Sequence, residues 1–103
     1  MSVAVVAIIH PVPEHRADVV AAYEAAVARV HAEDAGCELY ALHEDDDRLV
    51  LIEKWTSQEA LAAHSTSAAL DELRDRVEGL TTRPAEILIL QPHPAGTDAQ
   101  GVL

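Results

Sequence analysis

Within the run Glu53-Lys54-Trp55-Thr56-Ser57-Gln58-Glu59-Ala60-Leu61-Ala62-Ala63-His64 the chain carries a carboxylate, its only tryptophan and an imidazole. Carboxylates and imidazoles are the side chains most often used to move protons near neutral pH. An indole offers a flat apolar face to a ring-shaped ligand. Together Glu53, Trp55 and His64 could bind a small molecule and exchange a proton with it. The same three residues have a plainer reading: Glu53 as a strand-end acid, Trp55 as a core plug, His64 as a helix C-cap. The elements that carry them decide between these uses.

Arg48 to Trp55 reads as a strand. Side chains alternate along it, so Leu51, Glu53 and Trp55 share one face while Val50, Ile52 and Lys54 share the other. Thr56-Ser57-Gln58-Glu59 has the form of a capping box with Thr56 as the N-cap. It opens a short helix that reaches about His64. The negative end of that helix dipole favours an imidazolium, so His64 is expected to titrate near neutrality. If Leu51 faces the helices, Glu53 and Trp55 lie between sheet and helices, near His64.

Upstream, Val3 to Ile9 is an unbroken apolar, β-branched run that reads as a first strand. His10-Pro11-Val12-Pro13 stops it, because proline lacks the N–H a ladder requires. A helix is expected from about Glu14 to Glu33, with Val20, Tyr23, Val27 and Val30 on its inward stripe. Asp34-Ala35-Gly36 ends it. Cys37 to His43 reads as the second strand, and Glu44-Asp45-Asp46-Asp47 as a polar hairpin loop. Ser67 is positioned to cap a further helix that presents Leu70, Leu73 and Val77 and stops at Gly79. Glu86 to Leu90 reads as a fourth strand, and residues beyond Pro92 as a loose tail.

The expected order is therefore βαββααβ: an α+β, ferredoxin-like sandwich with a four-stranded antiparallel sheet and helices on one face. Residues 1–91 form the domain and 92–103 the tail. An antiparallel sheet with one wet face should alternate apolar and polar residues. The first and last strands are apolar on both sides, and Val50 and Ile52 add to the second face. A homodimer joined through that face is expected.

With 18 acidic against 7 basic residues and a net charge of −11, the chain lacks the basic face that nucleic acid requires and is unsuited to anionic membrane surfaces. No apolar run approaches the length of a membrane span, and no secretory leader is legible, so a cytoplasmic protein is expected. Cys37 is alone and forms no internal disulfide. Tyr40, on the strand paired with the third, and Tyr23, on the long helix, could line a pocket or simply pack; Leu51 would stand beside them. His43 with its acidic neighbours matches no calcium loop, and His10, His15, His31 and His93 form no zinc-type pair, so no metal site is expected. No glycine-rich phosphate loop or nucleophile elbow is present.

The segment from Cys37 to Leu70 resembles the antibiotic biosynthesis monooxygenase (ABM) domain. The likeness rests on Gly36-Cys37-Glu38-Leu39-Tyr40, then Leu51-Ile52-Glu53-Lys54-Trp55, then Ser57-Gln58-Glu59-Ala60-Leu61, Ala63-His64 and Ser67. The resemblance implies a dimeric α+β barrel built from two ferredoxin-like chains. It also implies oxidation of a quinol-like or polyphenolic small molecule by O2, with no flavin or metal cofactor. By this likeness Trp55 would position substrate, His64 would act as general base or hydrogen-bond donor, and Glu53 would orient or tune it. Tyr40 would be a second polar contact. Haem-degrading members of the superfamily carry a tryptophan at the position of His64 and a histidine at that of Arg74, a pattern this chain lacks. Two other functions remain compatible with the residues: a dimeric binding or accessory domain without turnover, and a proton-shuffling isomerase or cyclase of the same fold.

Overall fold

The computed structural model describes residues 2–103. The elements are β1 (Val3–Ile9), α1 (Arg16–Glu33), β2 (Cys37–Glu44), β3 (Leu49–Trp55), α2 (Gln58–Ser65), α3 (Ala68–Val77), β4 (Glu86–Leu90) and a one-turn α4 (Asp98–Gly101). Apart from α4, this is the βαββααβ order expected. The strands form one antiparallel sheet in the order β2-β3-β1-β4.

The two faces of the sheet follow directly from the pairing. Val5 lies opposite Glu53 and Ile89, and Glu53 lies opposite Tyr40, so these four share the row beneath the helices. Val3, Val5, Ala7, Ile9, Leu49, Leu51, Glu53 and Trp55 are all buried there. The opposite face carries Val6 between Ile52 and Leu88, and Ala4 between Lys54 and Leu90. Among the described residues no helix covers this second face, and Leu88 and Leu90 are exposed on it.

Strand β2 contains a bulge between Cys37 and Leu39: Cys37 pairs with Trp55 and Leu39 already pairs with Lys54. The extra residue changes the phase of the strand. Cys37 and Tyr40 therefore face the helices together although they are three positions apart.

Several local expectations shift. Pro13–His15 forms a 3-10 turn, and the regular helix begins only at Arg16. The buried stripe of α1 is Val19, Ala22, Tyr23, Ala26 and Val30, with Val20 and Val27 on its flank, half-buried. Small alanines lie at the centre of the contact, so the helix approaches its neighbours closely. A choice by side-chain size picks Val20 and Val27 instead. The N-cap of α2 is Ser57, not Thr56: Ser57 Oγ accepts from the Ala60 amide at 3.1 Å. The Thr56 amide is still donating to the Gly36 carbonyl at 2.9 Å, so the chain turns into the helix one residue later. Ser67 caps α3 as expected, accepting from the Leu70 amide at 3.4 Å. The polar hairpin loop is held by Asp45, whose carboxylate accepts from the Asp47 and Arg48 amides at 2.9 and 2.7 Å and pairs with the Arg48 guanidinium. The tail is not loose throughout. It folds the α4 turn, and the Leu103 backbone oxygen accepts from Lys54 Nζ at 2.8 Å.

Gly36 sets the junction between α1, β2 and α2. Its φ is +83°, a left-handed conformation that suits glycine. A Cβ here would stand 2.6 Å from Ala60 Cβ and 2.7 Å from Thr56 Oγ1. The missing side chain is what lets the end of α1 sit against the first turn of α2.

Candidate functional site

A cavity of about 1030 Å³ lies between the helix-facing side of the sheet and helices α2 and α3. Its walls are mostly aliphatic, with Val5, Ile9, Leu61, Leu73, Ile87 and Ile89 among them. Leu51, Tyr23, Tyr40, Glu53 and His64 also line it, and Arg74, Asp75 and Glu78 of α3 and its end add charge. Ile87 and Ile89 remain 57% and 61% exposed, so the cavity is open along β4.

Glu53 and His64 are the two buried polar or charged residues of the core. They reach the cavity from different elements, Glu53 from β3 and His64 from the last turn of α2. Trp55 links them. Its Nε1–H donates to Glu53 Oε1 at 2.9 Å, and its ring lies 4.4 Å from the His64 ring, tilted by 33°. Tyr40 packs edge-on against both, at 5.2 Å from His64 and 6.2 Å from Trp55. The structure thus brings all six sequence candidates to one side of the sheet. One is not where a stacking surface is needed: Trp55 is 0% exposed and lies behind the cavity wall. A ligand in the cavity meets Glu53 and His64 directly and Trp55 only through them. The alternation of β3 places Trp55 at the strand end, directly opposite Val3 and Cys37, and α2 closes over it.

The charge states follow from burial. Desolvation raises the Glu53 carboxyl above the ordinary glutamate range, against the Trp55 hydrogen bond, which favours the ionised form. Desolvation also lowers His64, so its ring is neutral at pH 7. Asp34 opposes that shift by hydrogen bond and charge, and Arg74 adds to it. The helix-end effect expected for His64 is outweighed because the ring turns inward. Burial, then the Glu53 charge, pushes Tyr23 up to about 12 and Tyr40 higher still. Both phenols therefore stay protonated and keep an O–H to donate. Neutral His64 is then a buried group of the cavity equipped to accept a proton at neutral pH, and Glu53 lines the same cavity.

One functional neighbour escaped the sequence reading. Asp34, taken only as the end of α1, accepts from His64 Nδ1 at 2.6 Å. The two side chains are 8% and 7% exposed. A signal was present: an acid at a helix C-terminus opposes the dipole and needs a compensating role. Among the described residues no cluster of three or more His, Cys, Asp or Glu is arranged to hold a metal ion. Among the same residues no helix is long and apolar enough to cross a membrane.

Comparison with known proteins converges on one family. The family model for antibiotic biosynthesis monooxygenase matches residues 2–81. A Mycobacterium tuberculosis protein called "Putative monooxygenase Rv0793" is 38% identical over 92 residues, covering 87% of this chain and 90% of its own length. The solved structure of Rv0793 superposes with a TM-score of 0.85 and 31% identity, over 94% of this chain and 100% of that one. PA3566 from Pseudomonas aeruginosa superposes with a TM-score of 0.78 and 26% identity, over 86% of this chain and 91% of that one.

Proposed function

The chain belongs to the antibiotic biosynthesis monooxygenase family, and from that premise we propose that it is a cofactor-independent monooxygenase oxidising a quinol-like or polyphenolic small molecule with O2. The observation that carries this reading is the neutral imidazole of His64 and the buried Glu53 carboxyl lining one large apolar cavity.

In this reaction the electrons come from the substrate. His64 Nε2 removes a proton from the methylene tautomer of the hydroxyarene, or from its phenol, leaving a carbanion or phenolate that O2 can oxidise. Oxygen adds at carbon to give a peroxide, which takes up a proton. Loss of water, with the second hydrogen of that carbon, leaves a carbonyl. The balance is CH2 + O2 → C=O + H2O: carbon loses four electrons, one oxygen atom enters product and the other leaves as water. The protein binds, deprotonates and excludes bulk water. The aliphatic walls hold the apolar body, the Tyr23 and Tyr40 hydroxyls are available as donors, and Trp55 holds Glu53 and His64 in place from behind.

We further propose that the active form is a homodimer packed through the uncovered sheet face. Val6, Ile8, Val50 and Ile52 lie there beside exposed Leu88 and Leu90, a continuous apolar surface that a partner sheet would bury. In a dioxygen-electrode screen of quinols and hydroxynaphthalenes, with chelator present and flavin absent, protein-dependent oxygen uptake is expected, and His64→Gln should abolish most of it. No uptake with any such compound would overturn the monooxygenase reading. Product formed under argon would point instead to proton-shuffling chemistry.

A further inference from the structure

We propose that Asp34 is the positioning residue of this site: its carboxylate fixes the His64 tautomer that leaves Nε2, not Nδ1, as the unprotonated ring nitrogen.

An ionised carboxylate only accepts hydrogen bonds, and a neutral imidazole carries one N–H. At 2.6 Å from Asp34 Oδ2, His64 Nδ1 must therefore hold that hydrogen. Nε2 keeps its lone pair and, among the described residues, is hydrogen-bonded to no protein group, while His64 lines the cavity. Neutral histidine in water exchanges freely between its two tautomers; here one is selected. The ring plane is fixed as well, between the Trp55 face and the Tyr40 edge. When Nε2 takes a proton, the adjacent carboxylate stabilises the imidazolium that forms.

The geometry is built, not incidental. Asp34 is the C-cap of α1, its amide bonded to the Val30 carbonyl at 3.0 Å, and it lies 30 residues from His64 in sequence. The side-chain-free turn at Gly36, pressed on Ala60, is what brings the two elements close enough for a 2.6 Å contact. The charged and titratable groups that face the His64 ring are Asp34 from the end of α1, Tyr40 from β2 and Arg74 from α3, while Glu53 of β3 lines the same cavity.

This inference rests on the reading of His64 as the base, but its test needs no substrate. Nitrogen-15 NMR of the ring nitrogens, with the His64 signals assigned by their loss in His64→Gln, reports the tautomer directly. In the native protein at pH 7.5 we expect a protonated Nδ1 and a bare Nε2. In Asp34→Asn, whose amide can donate as well as accept, we expect a tautomer mixture and a His64 titration midpoint moved to lower pH. Asp34→Glu should restore part of both. A native His64 protonated at Nε2 overturns the proposal without any variant, and so does an Asp34→Asn protein that folds and keeps both tautomer and midpoint. With an active substrate, Asp34→Asn should lower kcat at least about tenfold while KM changes little. Absence of oxygen uptake in the native protein would sink the monooxygenase reading and leave the tautomer result standing.

Discussion

Placing an alanine at Gly36 should loosen the joint on which the Asp34–His64 contact depends. Two costs arise. A left-handed backbone, here at φ +83°, costs an L-residue about 1–2 kcal/mol. The added methyl would stand 2.6 Å from Ala60 Cβ and 2.7 Å from Thr56 Oγ1, and overpacking of this kind costs about 1–3 kcal/mol. The smaller entropy of the unfolded chain offsets about 0.4–1 kcal/mol. A net loss of about 1–5 kcal/mol follows for Gly36→Ala. Ala60→Gly on its own should cost about 1 kcal/mol, because glycine is a poor helix former. It also removes the atom met at 2.6 Å, and exposed Thr56 can rotate its hydroxyl aside. The double variant should therefore recover the overlap part, a favourable coupling of about 1–3 kcal/mol. Urea denaturation at one fixed protein concentration measures all four proteins, concentration being held because association would shift the midpoint. A Gly36→Ala protein within about 0.5 kcal/mol of native, or a cycle that is simply additive, refutes the argument that this glycine is required by close approach.

Three other outcomes follow. Glu53→Gln should be more stable than native at pH 7: the folded carboxyl is raised, so the native protein loses stability as pH climbs above the ordinary glutamate value, and glutamine escapes that loss. The two melting temperatures should converge toward pH 4, and a native protein that stays ahead at neutral pH would refute it. His64 works in the opposite sense. Its folded value is lowered, so its contribution is present above the unfolded value of 6.5 and fades as pH falls, and His64→Gln should be less acid-sensitive than native in the same melts. Ile52→Glu, in the middle of the uncovered sheet face, should leave circular dichroism unchanged and halve the mass seen by light scattering. A native protein already monomeric at micromolar concentration would remove the basis for that variant.

The element order was legible because it depends on local signals: β-branched runs, prolines after Ile9, serine at position 67 and glycines at helix ends. The faces of β3 were legible because alternation needs no tertiary information. Apart from the local turns at Pro13–His15 and Asp98–Gly101, the features not legible in the sequence involve contacts between distant segments. The cap of α2 moved to Ser57 because Thr56 is held by Gly36, twenty positions earlier. The stripe of α1 was misjudged because alanines, not valines, mark where it packs closely. Asp34 carries a local signal, an acid at a helix C-terminus, but its partner His64 lies 30 residues away and nothing in the sequence names it. Trp55 was placed on the correct face, yet only packing shows that α2 seals it away from the cavity.

The bulge in β2 makes Glu38 a spacer in the alignment sense. Because the strand changes phase there, a chain one residue shorter at that point would alternate regularly from Cys37 to Tyr40 and still send both toward the helices. The same deletion between Tyr40 and Glu44 would instead turn every later side chain to the opposite face. Length variation among similar chains should therefore collect at the start of this strand and be excluded from its remainder. A gap placed a few positions too late in a comparison would assign the cavity tyrosine to the wrong side of the sheet.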